Sequence, residues 1–132
     1  MNVIIRHSQS YLEPKTRELL STYRERIQSV LKALSMKYSF KLPKEIALQP
    51  RDLKASYATA SRNGRFTKNY RVIKSYTVGV NIQLCMSEPD KGLSVIDHEC
   101  AHIAETLITN KMTNHGPFWK ELYEYCLGIE KF

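Results

Sequence analysis

The sequence predicts an α+β fold: one long N-terminal helix, a small three-stranded sheet and two further helices, folded as a single domain over 1–132. Three observations predict it. Apolar positions recur at helical spacing through the first quarter of the chain, apolar and polar residues alternate from Tyr76 to Leu84, and helix-start chemistry appears twice after Met86. At 132 residues the chain is long enough for one hydrophobic core and short for two.

The first helix is predicted from Ser10, where Ser10 and Glu13 have capping-box spacing and Pro14 falls in the first turn. Leu12, Leu19, Tyr23, Ile27, Val30, Leu31 and Leu34 mark its apolar stripe, and Pro43 bounds it on the far side. From Glu45 to Met86 that stripe gives way to β-forming runs. Tyr76, Val78, Val80, Ile82 and Leu84 alternate with Thr77, Gly79, Asn81 and Gln83, the pattern of a strand with one buried and one solvated face. Shorter strands are predicted at Ile46–Leu48 and Ser56–Ala60, with Asn63-Gly64 as the turn between the second strand and the third. The sheet is expected to be antiparallel or mixed. A second helix is predicted after Pro89-Asp90-Lys91-Gly92, with Ser94 as cap, Asp97 in the first turn, Ile96, Ile103 and Leu107 along its length and Asn110 at its end. A third should start at Pro117, with Phe118, Leu122, Tyr125, Cys126 and Ile129 on its apolar side.

A hydrophobic content of 42% with 25% charged residues is ordinary for a globular protein and excludes the composition of disordered chains. The apolar run at Val3-Ile4-Ile5 is too short for a signal peptide, and no stretch approaches the roughly 20 apolar residues of a membrane span. A cytoplasmic monomer is therefore expected, nucleoid-associated if it meets DNA, or in the host cytoplasm if a virus encodes it. Cys85, Cys100 and Cys126 are odd in number, far apart and without a CxxC pair, so reduced buried thiols are expected instead of a disulfide framework or a thiolate metal cluster.

The run His98-Glu99-Cys100-Ala101-His102 carries the chemistry. Residues four apart on a helix project from one face, so His98 and His102 can direct imidazole nitrogens to one ion, while Glu99 beside them can reach a water on the metal without being a ligand. A catalytic zinc ion needs three protein ligands and an open position. His115 is the leading candidate for the third, being the only other histidine on the C-terminal side and standing just before the helix that starts at Gly116-Pro117. The longer pattern HExxHxxGxxH does not fit, because Glu105 and Ile108 stand where it needs glycine and histidine. Glu105 is read as a supporting or surface carboxylate. His7 has no evident role. One zinc ion so held would lower the pKa of a bound water to about 7, and Glu99 would carry its proton to the leaving amine of a peptide. An oxyanion donor is also expected, but nothing selects it among eight tyrosines.

Taken together, Val78-Gly79-Val80-Asn81-Ile82-Gln83-Leu84, Ser87-Glu88-Pro89, His98-Glu99-Cys100-Ala101-His102 and His115-Gly116-Pro117-Phe118-Trp119 resemble the SprT-like metallopeptidases, a family that includes proteases of DNA–protein crosslinks. The resemblance is specific from about Tyr76 to Trp119 and implies a zincin-like fold, zinc on His98, His102 and His115, and Glu99 as general acid/base. Many members carry a cysteine-rich zinc ribbon after the peptidase core. Here the sequence stops at Phe132, so a bare catalytic core is expected, with any DNA recognition carried by it.

The net charge of +7 is unevenly spread. Residues 51–76 hold seven Lys/Arg against one acidic residue, whereas 77–132 hold four against eight. Arg51, Lys54, Arg62, Arg65, Lys68, Arg71 and Lys74 are interleaved with Tyr57, Phe66, Tyr70 and Tyr76, a combination suited to phosphates and unpaired bases. The first expectation is thus a zinc peptidase acting on DNA-associated or DNA-crosslinked proteins, contacting DNA of single-stranded character through this segment. Its rivals are a DNA-binding or regulatory module with a structural zinc, and a peptidase for one protein partner without a DNA role.

Overall fold

A computed structural model describes residues 1–6, 13–51, 56–66, 72–111 and 113–129. The β-branched run at the start of the chain forms β1 (Asn2–Ile5), and the stripe of Leu19, Tyr23, Ile27, Val30, Leu31 and Leu34 buries one side of α1 (Pro14–Tyr38). β2 (Glu45–Pro50), β3 (Ala58–Phe66) and β4 (Val72–Val80) follow, then the short α2 (Ile82–Ser87), α3 (Pro89–Thr109) and α4 (Pro117–Leu127). The strands form one sheet in the order β1-β2-β4-β3. β1 runs parallel to β2 and β2 parallel to β4, so α1 is the crossover that parallel pairing requires, while β3 and β4 pair antiparallel from Ala58 opposite Val80 to Phe66 opposite Val72. Ile46, Leu48, Tyr76, Val78 and Val80 from the sheet meet Leu20, Tyr23, Ile27, Leu31 and Leu34 from α1 and Ile96, Cys100, Ile103 and Ala104 from α3 in one core. No helix among the described residues is long and apolar enough to cross a membrane.

The sheet has four strands where three were expected. β1 was missed because four residues without polar alternation give no strand signal; its partner lies more than forty residues away, with Asn2 opposite Glu45. β4 stops at Val80, and the alternation beyond it is deceptive: the Asn81 side chain accepts the Leu84 N–H at 3.2 Å and caps α2, so Ile82 and Leu84 are helical. Asn63-Gly64 is not a turn either. Asn63 pairs with Ser75 and Gly64 with Lys74 inside the β3–β4 ladder, so strand pairing overrides a local turn propensity.

Helix ends show the same mixture. The expected cap Ser10 lies outside the described residues, as do Leu12 and His7, and Glu13 occupies the cap position of α1 without a side-chain bond. α3 starts at Pro89, with Glu88 at the cap position six residues before the expected Ser94 cap, because proline is preorganised for a first helical turn. Asn110 does end α3, in the left-handed region at φ 60°. α4 starts at Pro117 as expected, but it buries Trp119 with Leu122 and Cys126, leaving Phe118, Tyr125 and Ile129 half-buried.

Two contacts lock the helices together. Arg26 of α1 makes a bidentate pair with Asp97 of α3, at 2.7 and 2.8 Å, and donates to the Cys126 and Ile129 carbonyls at the end of α4, at 2.9 and 3.2 Å. Gly92 lets α3 approach α1 closely, since a Cβ there would lie 1.8 Å from the Tyr23 hydroxyl oxygen. All three cysteines are buried and free, as their spacing predicts.

Candidate metal centre

α3 presents His98 and His102 one turn apart on the same face, with their Nε2 atoms 3.2 Å from each other. The third histidine comes from the connection to α4. After Asn110 reverses the chain, His115 adopts the left-handed conformation at φ 62°, and its Nε2 comes within 3.0 Å of His98 Nε2. A left-handed conformation is uncommon for any residue with a Cβ, though less so for histidine than for most, and at a site it invites a functional explanation.

The nitrogens fit a metal ion. Ligands about 2.0–2.1 Å from a tetrahedral zinc stand roughly 3.3 Å from one another, close to the two separations seen. The cluster of His98, His102 and His115 is the one group of candidate metal ligands among the described residues. Protonation does not oppose a cation there, because burial first and then the neighbouring histidines bring His98 down to about 4. Burial, with His115 beside it, lowers His102 as well. Neutral imidazole is the form that binds metal. Nδ1 of His102 is buried and has no partner among the described residues.

Glu99 lies inside the same face, 6% exposed, with Oε1 4.0 Å from His98 Nε2. The three histidines converge as one ligand group and Glu99 is not part of it, so its carboxylate stands beside the site, where it can reach a water. Burial raises its carboxyl to about 7. Two aromatic rings of α4 back the cluster. Trp119 stacks on His102 with centroids 5.2 Å apart and donates its indole N–H to the His98 carbonyl at 3.4 Å, and Tyr123 stacks on Trp119 at 5.1 Å while meeting the His98 ring edge-on at 5.6 Å. Tyr123, four residues after Trp119 on one helix face, was not singled out from sequence; the spacing of the two rings behind His115-Gly116-Pro117 was the available signal.

Glu105 is supporting, not superficial. It is 2% exposed and its carboxylate accepts the Thr113 backbone N–H at 2.8 Å and the Thr113 hydroxyl at 2.8 Å.

The residues proposed for nucleic acid are less assembled. Arg51 is exposed at the end of β2, its stem passing over Gly79, and its guanidinium lies 2.8 Å from the Gln49 side-chain oxygen when that amide is turned to accept. Arg62 of β3 is exposed and donates to the Asn110 side chain at 2.7 Å. The backbones of Arg65, Phe66 and Lys74 lie in the β3–β4 ladder, while Lys54, Lys68, Tyr70 and Arg71 lie outside the described residues. Tyr76 is 6% exposed in the core and is removed from any base-stacking surface; Tyr57 is half-buried and bonds to Glu88.

β3, the outer strand of the sheet, runs beside α3 and is tied to its end through Arg62 and Asn110. No family model, curated protein or solved structure gives a significant match to the chain.

Proposed function

We propose that the chain is a zinc-dependent metallopeptidase of zincin-like fold, similar to the SprT-like family. The observation that carries this is the convergence of three imidazole Nε2 atoms beside a buried carboxylate that is not itself a ligand. A structural site has no use for Glu99, whereas hydrolysis needs a base next to the metal. His98, His102 and His115 would hold the ion, and three imidazole nitrogens suit zinc among the common cations. Zinc supplies, when bound, a more acidic water and Lewis acidity towards a carbonyl. Glu99 takes the water's proton and returns it to the leaving amine. Trp119 and Tyr123 wall the face behind His98 and His102 and exclude solvent there. The outer edge of β3 beside α3 supports an extended substrate held as an added strand, a mode tolerant of sequence.

The basic segment 51–76 supports substrates that are bound or crosslinked to DNA. The internal engagement of Arg62 by Asn110 favours a second reading, a peptidase for one protein partner without DNA. Incubation of the zinc-loaded protein with free protein, with protein plus single-stranded DNA and with a DNA–protein crosslink separates them. Cleavage stimulated by DNA is expected; DNA-independent cleavage of one partner selects the second reading. Glu99→Gln should retain zinc and lose hydrolysis by at least about a hundredfold. Identical products from wild type and Glu99→Gln in every tube would abandon the peptidase.

A further inference from the structure

His115 is exposed and has the left-handed backbone that L-residues resist, so burial does not account for its placement. Hydrogen bonds on both sides of it do. Thr113 N–H and hydroxyl donate to the Glu105 carboxylate, and Thr113 Oγ1 in turn accepts the Gly116 N–H at 3.1 Å. The two residues that flank the turn are thereby fastened to one carboxylate, and that carboxylate stands on α3, one turn beyond His102. Lys111 N–H is drawn to the same end of α3 by the Thr109 hydroxyl, at 3.2 Å. Among the described residues the ion pairs of lysine and arginine go to Glu45, Asp97 and Glu88 and not to Glu105, which is 2% exposed and whose charge acts on His102. A buried carboxylate satisfied only by a turn is a costly way to close a loop, and the cost has a purpose where the turn must present a side chain at a fixed distance.

We infer that Glu105 is a positioning residue for the third metal ligand: through Thr113 it sets the turn that brings His115 Nε2 against those of His98 and His102. The inference rests on the metal-centre reading above. Glu105 is hydrogen-bonded to the turn and not to the histidines, so its geometric effect runs through His115; its charge also acts on His102, and the double variant separates the two. Removing its acceptor geometry leaves the pair of histidines on α3 intact and the third free to swing out.

The test measures Zn2+ dissociation constants by competition with a chromophoric chelator, and the visible absorption of the Co2+-loaded protein. It compares wild type, Glu105→Gln, Thr113→Val, His98→Ala, His115→Ala and the double variant Glu105→Gln/His115→Ala. Glu105→Gln and Thr113→Val should each weaken Zn2+ by roughly 10–100-fold and move the Co2+ bands towards those of His115→Ala. In the His115→Ala background, Glu105→Gln should change affinity by less than about twofold, because the ligand it positions is gone. Thr113 is exposed, so Thr113→Val keeps the test decisive should Glu105→Gln fail to fold. Wild-type affinity and spectrum in both single variants overturn the proposal, as does an equal loss with and without His115. Equally weak Zn2+ binding by wild type and His98→Ala removes the metal-centre reading, and this inference with it; intact wild-type binding with unaffected variants removes this inference alone.

Discussion

Glu99 is placed to do chemistry at a thermodynamic cost that can be read in the metal-free protein. Burial raises its carboxyl from 4.5 to about 7, so the folded protein holds that proton more tightly than the unfolded chain. The contribution of this group to stability is full below about pH 4.5 and is lost as the pH climbs through 7. His98 is opposite in sign: depressed to about 4, it contributes above 6.5 and loses that contribution as the pH falls. Replacing Glu99 with neutral glutamine leaves the His98 term in place and removes the high-pH loss. Metal-free Glu99→Gln should therefore be more stable than wild type by about 1–3 kcal/mol at pH 8, with the gain shrinking towards pH 5, in urea unfolding followed by circular dichroism. The residues behind this were legible to different depths. Spacing four apart on a helix exposes His98, Glu99 and His102 to a reader of sequence, and His115 follows from the need for a third ligand. The link from Glu105 to Thr113 spans eight positions across a helix end and depends on a reversal at Asn110, so no periodicity announces it.

At the scale of elements, α1, α3 and α4 are joined through one buried guanidinium. Arg26 satisfies both Asp97 oxygens and two carbonyls at the end of α4, and Asp97 is wholly buried immediately before His98. Breaking one side of such a pair strands a charge. Arg26→Met should destabilise by about 3–5 kcal/mol in urea unfolding, and adding Asp97→Leu should recover much of the loss, because an apolar pair of similar volume need not be solvated. The long helices were readable because their periodic stripes are decided by burial, which acts along the whole element. The strands were harder. Asn81 and Asn63-Gly64 each carry a strong local preference, and the outcomes diverge: a cap bond to Leu84 wins at the first, whereas ladder pairing to β4 wins at the second. Neither result follows from residues within one window.

For the molecule as a whole, the core of sheet, α1 and α3 is assembled from apolar contacts and the Arg26 clasp, without help from the three histidines. Zinc should thus add to a fold that already exists. With free zinc at about 100 times its dissociation constant, the gain is roughly 2.7 kcal/mol, or a rise in Tm of about 10 °C, reversed by a chelator and absent in His98→Ala. Differential scanning calorimetry measures it. The α+β class was legible from composition and pattern. The strand order β1-β2-β4-β3 was not, since it depends on which distant segments pair in parallel. β1 has a further consequence. It is four residues long, stands at one margin of the sheet and meets a single partner, with Arg6 reaching over to Glu45 at 2.7 Å. Were this strand to fray, the backbone of β2 would offer an uncovered row of donors and acceptors flanked by Ile46 and Leu48, the kind of edge on which separate sheets pair.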